Sequence, residues 1–169
     1  MKSLLTSATA ACLLAFNLGT AVAADITARQ LKFGHLSTEE SPLGQGALKF
    51  AELVAKKSDN KIKVKVYSSG QLGSEAQQIG ATQGRAQDFV MLSTTPLSSV
   101  VKELQIMDFP GIVSTNDEAD ALLDGPAGVR MLSRFESHRL IGLAFFENGF
   151  RHLTNNKKHV VKLEDMEGM

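Results

Sequence analysis

From residue 30 onward the apolar positions switch repeatedly between a period of two and a period near 3.6, the signatures of strand and helix. Gln30-Leu31-Lys32-Phe33-Gly34-His35-Leu36 reads as a first strand. Ser41-Pro42 is a good helix start, with serine as N-cap and proline at the first helical position. Leu43, Ala47, Phe50, Ala51 and Val54 then fall on one helical face, with Lys49, Glu52 and Lys56 mostly opposite. Ser58-Asp59-Asn60-Lys61 closes that helix and turns the chain. Ile62-Lys63-Val64-Lys65-Val66-Tyr67 alternates apolar and basic residues strictly, the pattern of a half-buried strand near a sheet edge. Gln71-Leu72-Gly73-Ser74 leads into a second helix, expected from Glu75 to about Gly84. Asp88-Phe89-Val90-Met91-Leu92 is a third, apolar strand, followed by a turn at Ser93-Thr94-Thr95-Pro96. Two helical stretches, 117–123 and about 128–138, meet at Asp124-Gly125-Pro126. The apolar run 140–146 is expected to form a fourth strand.

This order of elements predicts an α/β fold with an open, mostly parallel sheet. In such sheets ligands sit beyond the carboxyl ends of the strands, in crevices lined by loops. Those ends are residues 36–42, 69–75, 93–96 and 147–151, all polar and loop-like. The last of them delivers an arginine, Arg151, just after Glu147-Asn148-Gly149. Its planar fork suits a carboxylate, which it can grip with two charge-assisted hydrogen bonds. A surface salt bridge is the alternative role.

The first residues read as a processing signal. Met1-Lys2 is a short basic start, residues 4–18 are largely apolar and uncharged, and Ala21-Val22-Ala23 supplies a small-x-small cleavage site. This segment has no polar face, which excludes an amphipathic first helix. The only cysteine, Cys12, lies inside it; as a lipoprotein acylation site it is a poor match, because Thr9-Ala10-Ala11 precedes it and little apolar sequence comes before. Removal of residues 1–23 leaves no cysteine, and so no disulfide, thiolate nucleophile or cysteine-metal site. A periplasmic location suits both features.

The charge balance removes other classes. Eighteen basic and 18 acidic residues cancel, and no basic stripe points to nucleic acid or to a membrane surface. His35, His138, His152 and His159 show no metal-ligand spacing. Gly44-x-Gly46 lies inside a predicted helix and lacks the third glycine of a dinucleotide loop. No Gly-x-Ser-x-Gly elbow occurs, and the adjacent Glu39-Glu40 pair fits solvation better than acid-base catalysis. No enzymatic activity, metal or cofactor is therefore expected. A periplasmic hydrolase would need an elbow or a metal cluster, and the chain has neither.

Six pieces in order carry a resemblance: Phe33-Gly34-His35, Ser41-Pro42-Leu43-Gly44-Gln45-Gly46-Ala47, Tyr67-Ser68-Ser69-Gly70-Gln71-Leu72-Gly73, Glu103-Leu104-Gln105-Ile106-Met107-Asp108-Phe109-Pro110, Asp124-Gly125-Pro126 and Asn148-Gly149-Phe150-Arg151. Together they resemble the solute-binding proteins of tripartite ATP-independent periplasmic (TRAP) transporters, the DctP-type family, over roughly residues 31–169. The resemblance implies a two-lobed clamshell that closes on an organic acid, such as a dicarboxylate, and delivers it to the subunits of a membrane permease. Family members are longer, so the chain reads as an N-terminal portion: a signal peptide at 1–23, the first lobe at 24–147, then the hinge crossover and the start of a second lobe at 148–169. Residues 163–169 open a turn or helix with no closing element, and the family's main carboxylate clamp, a second arginine, falls beyond Met169.

The resemblance also implies site residues. Arg151 matches the first carboxylate-contacting arginine. Asn148 either touches ligand or shapes the turn before Gly149. Glu75, Ser93 and Thr94 either contact ligand, directly or through water, or cap turns and helix starts. His35 and Glu39 follow the first strand, where a structural histidine with satisfied hydrogen bonds is the alternative to a ligand contact. Two departures stand out: Gly111 replaces a usual aromatic residue, and Ser93 leaves the identity of the acid open. A non-functional half-receptor and a ligand-sensing or interaction module without a transport role are the competing readings.

Overall fold

The computed structural model describes residues 26–150 and 152–169. The proposed signal segment and Arg151 therefore lie outside the described residues. Three parallel strands, β1 (Arg29–His35), β2 (Ile62–Tyr67) and β3 (Phe89–Met91), form a sheet in the order β2-β1-β3. Parallel neighbours need long crossovers, and these are α1 (Pro42–Lys57) and α2 (Glu75–Gln83).

Local chemistry sets the boundaries. Ser41 Oγ accepts from the Gly44 amide at 3.1 Å with Pro42 in the first turn, as the sequence predicts. At the other end, the buried Ser58 hydroxyl donates to the Val54 carbonyl at 2.7 Å and accepts from the Ile62 amide at 3.0 Å. Asp59 and Asn60 adopt left-handed backbone between these bonds and turn the chain into β2. Ser74 and Gln77 form a reciprocal capping box at the start of α2. Asp88 fixes β3 beside β1: its carboxylate accepts from the Lys32 amide at 2.8 Å, and its own amide donates to the Lys32 carbonyl at 3.2 Å.

β1 is the middle strand and its last three residues are buried. β2 is an edge, as its alternation predicts, with Lys63 and Lys65 exposed between half-buried apolar neighbours. Phe33, Phe50 and Phe89 meet with ring centroids 5.2 to 6.0 Å apart, clamping α1 onto β1 and β3. A second apolar centre, buried Val101, Leu104 and Phe135, is flanked by Leu97, Val100, Met131, Leu140 and Phe145.

Two expectations need correction. Residues 93–96 do not form a simple turn: Thr94–Leu97 is a short helix, α3, continued after a gap by a 3-10 helix at Lys102–Asp108. Pro96 is compatible with this because a helix's first turn has no intrahelical use for that N–H. Further along come α4 (Asn116–Leu123) and α5 (Pro126–Ser133), meeting where expected, with a 3-10 turn at Glu136–His138 ending the second stretch.

The larger correction concerns residues 140–146. They are not a fourth strand; among the described residues they pair with no neighbour, and the sheet has three strands. Leu140 and Phe145 pack on the second apolar centre, but Ile141 is 77% and Leu143 63% exposed. An apolar run reports extended backbone only when a sheet edge is there to receive it. The β3 edge is only three residues long, and the run spends its inward residues on helices instead.

Candidate functional site

Because all three strands are parallel, their carboxyl ends share one side of the sheet. The loops that follow are joined to one another. The Gly70 amide donates to the His35 carbonyl at 3.0 Å, and the Ser69 amide to the Ser37 carbonyl at 2.9 Å. Ser69 and Gly70 both take left-handed backbone to make these bonds. These two bonds tie the β1 and β2 loops into one rim, the kind of position from which loops hold binding groups.

Five of the sequence-derived candidates stand on this side. Glu75 opens α2 and is half-buried, placed to meet the positive end of that helix. Ser93 precedes α3, exposed and with no cap hydrogen bond from its side chain, so its hydroxyl is available. Thr94 follows, half-buried. Glu39 is exposed in the β1 loop, where its carbonyl accepts from the Gln45 side-chain amide at 2.9 Å.

His35 ends β1 and is 1% exposed, yet neither ring nitrogen has a hydrogen-bond partner. Burial pushes its pKa below the ordinary 6.5, against smaller upward pulls from the Ser37 backbone and the Glu39 carboxylate.

Asn148 arrives differently. It is exposed on the unpaired segment, just before Gly149, whose φ of 69° makes the turn. Two residues earlier, Phe146 touches α1 near its start, at Gly46. That contact brings the segment towards the end of α1 that follows the β1 loop.

Sequence reasoning missed a buried polar group beneath the rim. Gln78 is 0% and Gln87 3% exposed, and their amides meet over Gly34 in the middle of β1. A glycine inside a strand is the signal that could have found them, since it marks a close approach. A separate hollow of about 350 Å³ lies between α2 and α3, lined by Ala76, Ile79, Gly80, Gln83, Pro96 and Ser99, and none of the described candidates borders it. Among the described residues no cluster of acidic, histidine or cysteine side chains could hold a metal ion, and no helix is long and apolar enough to cross a membrane.

A parallel sheet with polar loops tied together at its carboxyl ends puts the ligand crevice expected of an open α/β lobe on that side. Residues 33–169 match the family model of bacterial extracellular solute-binding protein, family 7 (DctP), and the chain belongs to that family. It is 34% identical over 137 residues to the C4-dicarboxylate-binding protein DctB of Bacillus subtilis, covering 81% of this chain and 39% of that protein. The sugar acid binding protein DctPAm of Advenella mimigardefordensis, solved with galactonate, superimposes with a TM-score of 0.79 at 38% identity, over 83% of this chain and 46% of its own. A TRAP periplasmic solute binding protein of Polaromonas sp. JS666, bound to D-erythronate, gives 0.77 at 36% identity, over 82% and 46%. The chain thus spans less than half the length of each of these relatives.

Proposed function

We propose that the chain is the ligand-capturing lobe of a periplasmic receptor that binds an organic acid and hands it to the permease of a TRAP transporter. The observation that carries this reading is the tied rim at the carboxyl ends of β1 and β2, in a chain of this family. Residues 1–23 would direct export to the periplasm, 24–147 form the first lobe, and 148–169 cross the hinge into a second. Arg151 and Asn148 would meet the carboxylate from the crossover, while Glu75, Ser93, Thr94, His35 and Glu39 face it from the strand ends. Closure removes water from around the charge pair, and the lower dielectric strengthens it. The closed form is selected because only it completes both sides of the site.

The relatives named C4-dicarboxylate-binding, or solved with galactonate and D-erythronate, support a small hydroxylated or doubly charged acid as the solute. Calorimetry with succinate, galactonate and D-erythronate tests the reading. The 169-residue chain alone is expected to bind weakly, since one lobe offers half of a closed site. A polypeptide continued through a second lobe is expected to bind one of these acids in the micromolar range or tighter. Failure of that longer polypeptide to bind any carboxylate would overturn the receptor reading.

A further inference from the structure

We infer that Gln78 is the positioning residue of the 68–74 loop, acting through a buried relay of amides laid across Gly34; the inference rests on reading the strand-end loops as the ligand cleft. The relay has three bonds. Gln87 Nε2 donates to the Phe89 carbonyl at 2.8 Å and to Gln78 Oε1 at 3.2 Å, and Gln78 Nε2 donates to the Gly73 carbonyl at 2.9 Å. Gln87 thus uses both of its amide hydrogens on oxygen acceptors, which fixes its orientation, because a flipped amide would set oxygen against oxygen.

β1 makes room for the relay. Phe33 and His35 carry rings either side of a bare Gly34. A Cβ there would overlap Gln78 Oε1 and stand 2.7 Å from Gln87 Nε2. The buried groups are not fully matched, since Gln87 Oε1 has no partner. Buried polar side chains are costly when unpaired, and their directional bonds are what an apolar core could not supply. Here the direction points at the loop. One end of residues 68–74 is held by the Gly70 amide on the His35 carbonyl, and the other by Gln78 on the Gly73 carbonyl. Glu75 leaves that second anchor two residues on. Its placement at the rim therefore depends on a side chain buried one helical turn behind it.

The test compares Gln78→Met with Gln87→Met in the full chain. Both variants lose the bond between the glutamines at nearly constant side-chain volume, but only Gln78→Met frees the Gly73 carbonyl. Hydrogen exchange is followed at the amides of Gly70, Gln71, Gly73 and Ser74, all of which are hydrogen-bonded in the native loop. Gln78→Met is expected to speed their exchange at least tenfold, with Gln87→Met within about threefold of the unmodified chain. Equal loosening in both variants, or none in Gln78→Met, overturns the inference. Should Gln78→Met fail to fold, Gln78→Met/Gln87→Met removes the stranded amide and is read against Gln87→Met in the same way. In a polypeptide that binds succinate, galactonate or D-erythronate, Gln78→Met should also raise Kd at least threefold. If no acid binds, the receptor reading fails, while the exchange comparison still decides the role of Gln78.

Discussion

The ring of Phe146 lies against Gly46, with Cε1 only 2.9 Å from where a Cβ on that glycine would stand. This is how the unpaired segment after residue 139 touches α1. Two effects compete in Gly46→Ala. Alanine inside a helix is favoured over glycine by about 0.8–1.0 kcal/mol. Against this, the Phe146 ring must move, but it is 46% exposed on a segment with no sheet partner, so it can swing away. The helix term wins, and Gly46→Ala should raise Tm by about 2–4 °C, the shift that about 1 kcal/mol produces at this size. A fall in Tm by calorimetric scanning would mean that the segment is firmly docked.

Gly34→Ala should go the other way. The atoms it would strike end flexible side chains, but those side chains are buried and hydrogen-bonded, so they have nowhere to yield. A loss of about 1–3 kcal/mol is expected. Urea unfolding monitored by circular dichroism measures it; a loss below 0.5 kcal/mol, roughly the noise of a surface change, would mean that the core there is looser than described.

His35 should make stability depend on pH. Its folded pKa is depressed below 6.5 while the unfolded chain keeps the ordinary value, so between the two the unfolded state binds more protons. Stability is therefore complete above pH 6.5 and falls as the pH drops through the window below it. Because carboxylates titrate near the lower end, the informative quantity is the difference between the natural chain and His35→Leu. Urea midpoints from pH 7.5 down to 5 should fall more steeply for the natural chain, and parallel curves would remove His35 as the source.

Ser41→Ala removes the cap on the Gly44 amide and should destabilise by about 1 kcal/mol. Ser41→Asp should recover most of the loss, because it keeps an acceptor and adds charge near the helix's positive end. An alanine variant as stable as the natural chain would show water replacing the cap at no cost.

Arg151→Ala, in a polypeptide carrying both lobes, should weaken acid binding at least tenfold. The expected cost is about 2–5 kcal/mol where the partner charge is left buried and unpaired. An unchanged dissociation constant by calorimetry would return Arg151 to the role of a salt bridge.

What was legible in the sequence was written locally. Ser41-Pro42 and Ser58-Asp59-Asn60-Lys61 announce the two ends of α1, each within four residues. The Lys63 and Lys65 alternation marks an edge without knowledge of the partner strand. Residues 140–146 misled because an apolar run encodes extension and burial, whereas a strand also requires a neighbour. The Gln78–Gln87 relay was hidden for a related reason: two glutamines from separate elements meet only after β1 has brought Gly34 between them. The candidates at strand ends were legible as positions, since parallel order alone puts them on one side. Whether each side chain reaches a solute depends on loop geometry that no spacing encodes.

The lysines of β2 have a consequence for the molecule's company. An edge strand offers its free amides and carbonyls to any extended peptide, and such edges seed aggregation. On β2, Lys63 and Lys65 stand exposed at alternate positions, and the Lys65 ammonium sits 5.0 Å from the centre of the Tyr67 ring. A second molecule adding its own β2 here would bring like charges into register and be repelled. That repulsion disfavours the joining of two sheets through their β2 edges.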